Sequence, residues 1–167
     1  MYNQLTRKDI EDMQAEIEER KVVIRPKLLE AVKEARAHGD LSENFEYYAA
    51  KKEKNANESR IRFLERMIKT AEVIEDNAAA DEIGVNDTVK VLFVDEGEEE
   101  TYTIVSTMRG DSLHNLVSIE SPIGKALLGH KEGDVINVEV NKDVSYPLRV
   151  LEIRKDNEGE SAKLRGF

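Results

Sequence analysis

His38-Gly39-Asp40-Leu41-Ser42-Glu43-Asn44-Phe45-Glu46-Tyr47 separates two long helical patterns and breaks both of them. One pattern runs from about Leu5 to Ala37, the other from about Asn44 to Glu75. Gly39 has no Cβ and suits the end of a helix. Asp40, Ser42 or Asn44 can each cap the start of the next one, because a short polar side chain accepts from the free N–H groups of a first turn. The spacing therefore predicts a helical hairpin whose far end carries two carboxylates, Asp40 and Glu43, three positions apart.

Working outward, Ile10, Met13, Ile17, Ile24 and Leu28 recur at coiled-coil intervals, with Arg20 at the skipped core-type position. Pro26 lies inside this pattern and predicts a kink or a fresh helical start, since it has no N–H to donate. On the returning arm Ala49, Ala56 and Phe63 repeat every seven residues, and Leu64, Met67, Ala71 and Ile74 continue the seam. Two arms of similar length joined by a short turn make an antiparallel pair, each spanning roughly 45 Å at 1.5 Å per residue. Ala31, Ala35, Ala37, Ala49 and Ala50 near the turn predict close approach there.

Asp76–Asp81, with three alanines in its middle, ends the heptad pattern. Beyond it the apolar period becomes two. Strands are expected at 88–94, 101–105, 116–119, 135–140 and 146–153, with an acidic turn at 95–100. Pro122 to Gly129 reads as a short helix begun by proline and stopped by glycine. The expected fold is α+β: an N-terminal antiparallel α-helical coiled-coil hairpin (1–76), a linker (77–83) and a small antiparallel β-sheet domain with one short helix (84–167). The polar tail from Lys155 is expected to fray beyond Asn157.

The chain of 167 residues carries a net charge of −10, with 36% charged residues and no cysteine. Disulfides, thiolate chemistry and Cys-based metal sites are excluded. No apolar run approaches the ~20 residues of a membrane-spanning helix, and the N-terminus lacks the apolar core of a signal peptide, so cytoplasmic residence and no membrane partner are expected. Residues 1–76 hold 15 Lys and Arg against 17 Asp and Glu, whereas the remainder holds 10 against 18. A chain so acidic is a poor bulk ligand for nucleic acid, so any such contact must be local or arranged by a partner.

Two readings compete at the turn. Asp40 and Glu43 can serve as cap and first-turn acid of the second helix, where they complement its dipole. They can also donate oxygens to a hard cation such as Mg²⁺, completing a site that a partner holds in part. Arg36 on one arm and Lys51 or Lys52 on the other bracket these acids, within a wider basic set of Lys54, Arg60 and Arg62. These residues are either a solvated, ion-paired face or a hold on phosphates. Phe45, Tyr47 and Tyr48 follow, with Tyr47 read as structural and Phe45 as exposed. His38 is read as closing its helix near the C-terminal dipole.

Ala35 to Tyr47 resembles the tip signature of the bacterial Gre transcript cleavage factors, and Ser121-Pro122-Ile123-Gly124-Lys125-Ala126-Leu127-Leu128-Gly129 resembles their second motif. The resemblance covers nearly the whole chain and is closest to the GreA members. It implies a C-terminal domain of FKBP-like fold that docks at the secondary channel of bacterial RNA polymerase, with Ser121 and Pro122 at the docking surface. It implies a hairpin that enters the channel toward the nascent RNA 3′ end, with Asp40 and Glu43 as the catalytic, metal-coordinating pair. The Mg²⁺ would be shared with the polymerase, and none is expected in the isolated protein, which is expected to be a monomer and not itself an enzyme. Arg36 and Lys51 would belong to the RNA-binding basic patch, beside Lys52. A Gre-like regulator that fills the channel without cleavage, and a prolyl isomerase of the FKBP type, are the alternatives. The chain departs from the family pattern at Phe45, often a small residue, and at bulky Tyr48. It also lacks a glycine commonly found after the first Thr, and its tail after Ile153 is long.

Overall fold

A computed structural model describes residues 3–39 and 44–166. Their contacts divide them into two compact units, one of Ile10–Ala71 and the other of the residues up to Asp9 together with Glu72–Gly166.

The chain enters its first helix, α1 (Arg7–Glu19), through a reciprocal cap: Thr6 Oγ1 accepts from the Asp9 amide at 3.1 Å, and Asp9 Oδ2 accepts from the Thr6 amide at 2.9 Å. A π-helical turn, Arg20–Ile24, separates α1 from α2 (Arg25–Ala37), and α3 (Phe45–Lys69) returns. The π turn is the local answer to Pro26. A proline ring collides with the carbonyl four residues back in a regular helix, and the wider turn relieves that position. The interruption stands where the sequence predicts a kink or fresh start.

The phase of α3 differs from the alanine-based expectation. Ala49 and Ala56 are exposed, whereas Tyr47, Asn57, Arg60, Ile61 and Leu64 are buried. Leu64 is buried as the seam predicts; Ile61, one turn earlier, removes more apolar area from water than an alanine would, so it is buried in place of Ala49 and Ala56. Beside them lies a polar layer. Glu16 Oε2 accepts from Arg20 Nε and Arg60 Nε, both at 2.8 Å, while Asn57 Oδ1 accepts from Arg20 Nη1 at 2.9 Å. Asn57 Nδ2 in turn donates to the Arg20 carbonyl at 3.3 Å. Burial pushes the Glu16 carboxyl up, but the hydrogen bonds and charges of Arg60 and Arg20 outweigh it and hold Glu16 below the usual carboxylate range. Arg60 is thus a structural residue, and it leaves the basic set proposed from sequence. Arg25 forks onto Glu58 at 2.7 and 2.8 Å, tying the start of α2 to α3.

Helix α3 ends at Lys69, earlier than the pattern to Glu75 predicts. The next residues form β2 (Glu72–Val73), parallel to β1 (Gln4–Leu5), and Ile74 packs against the sheet core rather than continuing the helical seam. Residues 72–76 and those up to Asp9 therefore lie with the sheet unit, outside the Ile10–Ala71 unit.

The sheet unit contains β3 (Thr88–Phe93), β4 (Glu98–Val105), β5 (Leu116–Ser118), β6 (Val135–Glu139) and β7 (Ser145–Arg154) in the order β5-β4-β3-β7-β6. All neighbours are antiparallel except β4 and β5. Alternating side chains (Val89 and Val91, Ile136 and Val138, Leu148 and Val150) make one buried face, joined by Leu127 of the short helix α4 (Pro122–Leu127). Glu98–Glu100, read from sequence as turn, belong to β4, where the Glu99 side chain pairs with Lys90 at 3.1 Å. Ile83, placed in the linker by composition, is fully buried in this core.

The tail does not fray. A short 3₁₀ turn, Glu158–Ser161, seats Gly159 against Asn86, where a Cβ would overlap Asn86 and Val105. The Ala162 carbonyl accepts from Arg109 Nη1, and the Arg165 amide donates to the Met108 carbonyl at 2.7 Å. Arg109 also donates through Nε to Asp9 Oδ1 at 2.5 Å, and both side chains are only 2% exposed. No helix among the described residues is long and apolar enough to cross a membrane.

Candidate functional site

The turn of the hairpin is built by residues on either side of the acids. Gly39 takes a left-handed φ of +115°, and among the described residues nothing would meet an added Cβ, so its glycine answers a conformational need. Of the three candidate caps, Asn44 is the one observed. Its Oδ1 accepts from the Tyr47 amide at 3.0 Å and its Nδ2 donates to the Ala35 carbonyl at 2.6 Å. One side chain thereby starts α3 and ties it to the end of α2. His38 Nδ1, at the end of α2, lies 3.0 Å from Glu46 Oε2, adding an exposed link across the same turn. Asp40 and Glu43, with Leu41 and Ser42, lie outside the described residues.

Tyr47 packs into this end of the hairpin at 8% exposure, whereas Phe45 is 84% exposed. Arg36 and Lys51, which the sequence places on opposite arms, converge on Tyr47: the guanidinium carbon lies 5.5 Å from its ring centroid and the Lys51 nitrogen 5.9 Å. Hydrogen bonding from Arg36, with the charges of Lys51, Arg36 and Lys54, outweighs desolvation and lowers the Tyr47 phenol below its usual value. Three cations, Arg36, Lys51 and Lys54, thus act on the Tyr47 phenol. Lys52 is exposed on α3. Among the described residues no group of three or more His, Asp or Glu could hold a metal ion.

The second motif is assembled around α4. Ser121 Oγ accepts from the Gly124 amide at 3.1 Å and donates to the Ser118 carbonyl at 2.6 Å, so it caps the helix and fastens it to β5. Pro122 occupies the first turn and is exposed. Gly124 is buried so closely against β5 that a Cβ would overlap the Ser118 carbonyl oxygen. An open cleft in this unit, with Ile83, Ile119 and Leu128 in its floor and Asp76 and Glu82 among its acids, has no aromatic residue in its lining. Phe93 and Tyr146 instead stack on each other at 5.7 Å and pack on the core. This cleft is not an isomerase pocket lined by aromatics.

Sequence reasoning named Asn44 among the caps and Tyr47 as structural, as the geometry has them, and Arg36 and Lys51, which it set on opposite arms, both reach the Tyr47 ring. It missed the partners of Arg20 and the pair Asp9–Arg109. The Thr6-x-x-Asp9 spacing signals a capping box, but nothing local signals an arginine 100 residues away.

Both halves of the chain match known families. Residues 3–73 match the model described as transcription elongation factor, N-terminal, and residues 78–155 match transcription elongation factor, GreA/GreB, C-term. The chain belongs to the GreA/GreB family. Among curated relatives, transcription elongation factor GreA of Thermoanaerobacter pseudethanolicus is 47% identical over 152 residues, spanning 90% of this chain and 96% of that protein. GreA of Streptococcus gordonii is 43% identical, spanning 90% of this chain and 94% of that protein. A solved structure, GreA factor homolog 1 (Gfh1) of Thermus thermophilus, is 27% identical over 90% of this chain and 97% of that one, with a TM-score of 0.41. In this Gre-family chain residues 156–166 lie beyond the C-terminal family match, yet they are packed into the sheet unit.

Proposed function

We propose that this Gre-family elongation factor binds bacterial RNA polymerase through its sheet unit, inserts the hairpin into the secondary channel and stimulates endonucleolytic cleavage of backtracked nascent RNA. The observation that carries the reading is the turn itself. Asn44 and Gly39 bracket a four-residue segment containing Asp40 and Glu43, and Arg36 and Lys51 converge on Tyr47 just behind it. In sequence, two carboxylates follow directly on a cationic base, a combination that suits an RNA end, whose phosphates need cations while its scissile bond needs a metal-held water.

The donor chemistry fits Mg²⁺. Two carboxylates are hard oxygen ligands, too few for a closed cage, which leaves the remaining positions to water, phosphate and ligands of the polymerase. When bound, such an ion lowers the pKa of a water and stabilises the leaving oxygen. In this mechanism Asp40 and Glu43 would hold the shared ion and, with it, the attacking water. Arg36, Lys51 and exposed Lys52 hold phosphates of the extruded RNA as paired charges. Asn44 and Gly39 fix where the acid-bearing segment begins and ends. Ser121 holds α4 in the conformation that presents Pro122 for docking. The factor itself contributes no complete catalytic centre and acts in the cytoplasm, where the polymerase is.

The test uses stalled, backtracked elongation complexes with labelled RNA. The full chain should shorten the RNA from its 3′ end, and Asp40→Ala or Glu43→Ala should abolish the shortening while polymerase binding, followed by native gel, is retained. Normal cleavage by both variants refutes the assignment.

A further inference from the structure

Phe45 and Tyr48 stand three positions apart at the start of α3 and so lie on one face of the helix. Both are exposed, Phe45 at 84% and Tyr48 at 51%, beside a neighbour, Tyr47, that the same turn buries. A phenylalanine left this bare contributes nothing to the packing of the hairpin. Tyr48 is nevertheless held in place. Its ring sits 5.5 Å from that of Tyr47 at a 60° tilt, and Tyr47 is itself flanked by Arg36 and Lys51. Continuing along this face, the sequence brings Ala49, Lys52, Asn55 and Ala56, with no carboxylate among them. In a chain of net charge −10, an aromatic pair followed by a lysine and no acid is a local exception.

We propose that Phe45 and Tyr48 form a stacking platform for unpaired bases of the extruded RNA, with Lys51 and Lys52 holding the adjoining phosphates. Single-stranded nucleic acid is bound elsewhere by this combination, in which aromatic faces take bases and cations follow the backbone. The inference rests on the cleavage role proposed above and adds what that role lacks, a contact to the base. The acids address the scissile phosphate and the cations address any phosphate, whereas the aromatic face distinguishes RNA that carries a base from RNA that does not. Purines, with the larger rings, should be favoured over pyrimidines at the contacted position.

The experiment places 2-aminopurine in the extruded 3′ segment of a backtracked complex, where stacking quenches its fluorescence. Addition of the full chain should quench it. Phe45→Ala and Tyr48→Ala should lose most of the quenching and raise the half-maximal factor concentration for cleavage by about tenfold, within the range one lost base–aromatic stack produces. Phe45→Trp should restore both. On RNA with an abasic residue at that position, Phe45→Ala should make no difference. Full quenching by Phe45→Ala overturns the proposal. So does an equal defect on abasic and base-bearing RNA, which would mark Phe45 as touching the protein wall of the channel. Asp40→Ala keeps the two readings apart, because it should quench without cleaving. Quenching by the wild-type chain with no cleavage would refute the cleavage role and leave the platform standing, whereas cleavage without quenching does the reverse.

Discussion

Asn44 joins the two helices it separates in sequence: its Nδ2 donates to the Ala35 carbonyl at 2.6 Å while its Oδ1 receives the Tyr47 amide at 3.0 Å. The start of α3 is thereby tied to the end of α2 by one amide group. An asparagine is the side chain that can both cap a helix and donate to a carbonyl in this way.

Replacing Asn44 tests that double duty. Asn44→Ala removes the cap and the cross-link together, and should cost about 2 kcal/mol, about 1 from each. Asn44→Asp keeps the cap but cannot donate to Ala35, so it should cost about half as much. Urea unfolding followed by circular dichroism measures both, and the cleavage assay should fall in the same order.

The Glu16 layer predicts a pH dependence. The folded-state pKa of Glu16 is depressed, so its contribution is fully present above the unfolded value and is lost as pH falls through the folded one. Wild type should therefore exceed Glu16→Gln in stability at pH 7, and the gap should close as pH falls below the ordinary carboxyl value of 4.5. A gap that widens toward acid pH would mean that Glu16 is held protonated.

Breaking the buried pair Asp9–Arg109 should be more severe. Arg109→Met leaves an Asp9 carboxylate that is 2% exposed without this partner, at a cost of about 3–5 kcal/mol. The double variant Asp9→Leu/Arg109→Met should recover much of that loss. Truncation after Lys155 removes the Ala162 carbonyl from Arg109 and should cost about 1–3 kcal/mol, visible as a lower thermal midpoint.

Gly124→Ala should displace α4 from β5, because the added methyl overlaps the Ser118 carbonyl. Weaker polymerase binding is expected, with cleavage restored at higher factor concentration. Ser121→Ala should have a milder effect, about 1 kcal/mol of lost capping. A cleavage defect in Gly124→Ala that no concentration rescues would mean that α4 does more than dock.

Arg36→Ala with Lys51→Ala should weaken cleavage most where the extruded RNA is long enough to reach the base of the turn. The defect should deepen with added salt, since the contacts that remain are electrostatic. Circular dichroism checks the hairpin, because both residues also flank the buried Tyr47 ring.

Much of this protein was legible in one dimension. The break at Gly39, the change of apolar period after the alanines, and the Ser121-Pro122 helix start are all local, and local spacing is enough to read them. Sequence also placed Arg36 and Lys51 on opposite sides of the turn and separated buried Tyr47 from exposed Phe45. It failed where competing burial had to be weighed. Leu64 lies on the expected seam, but the alanine repeat before it pointed to a face that stays exposed, and Ile61, which buries more area, lies inside instead. Helix α3 stopped at Lys69 because Ile74 gains more in the sheet core than on the seam.

What only the tertiary structure decided are the long-range polar contacts. Arg20 looked like a misfit at a core position until Glu16 and Asn57 were seen to satisfy it. Asp9 finds Arg109, and a tail that composition marks as loose supplies the Ala162 carbonyl to the same guanidinium. A buried charge must be paired wherever the fold brings a partner, and that partner need not be near in sequence. Periodicity encodes which face of an element is apolar. It carries no information about which distant polar group meets a buried charge, and that is settled only when the chain closes on itself.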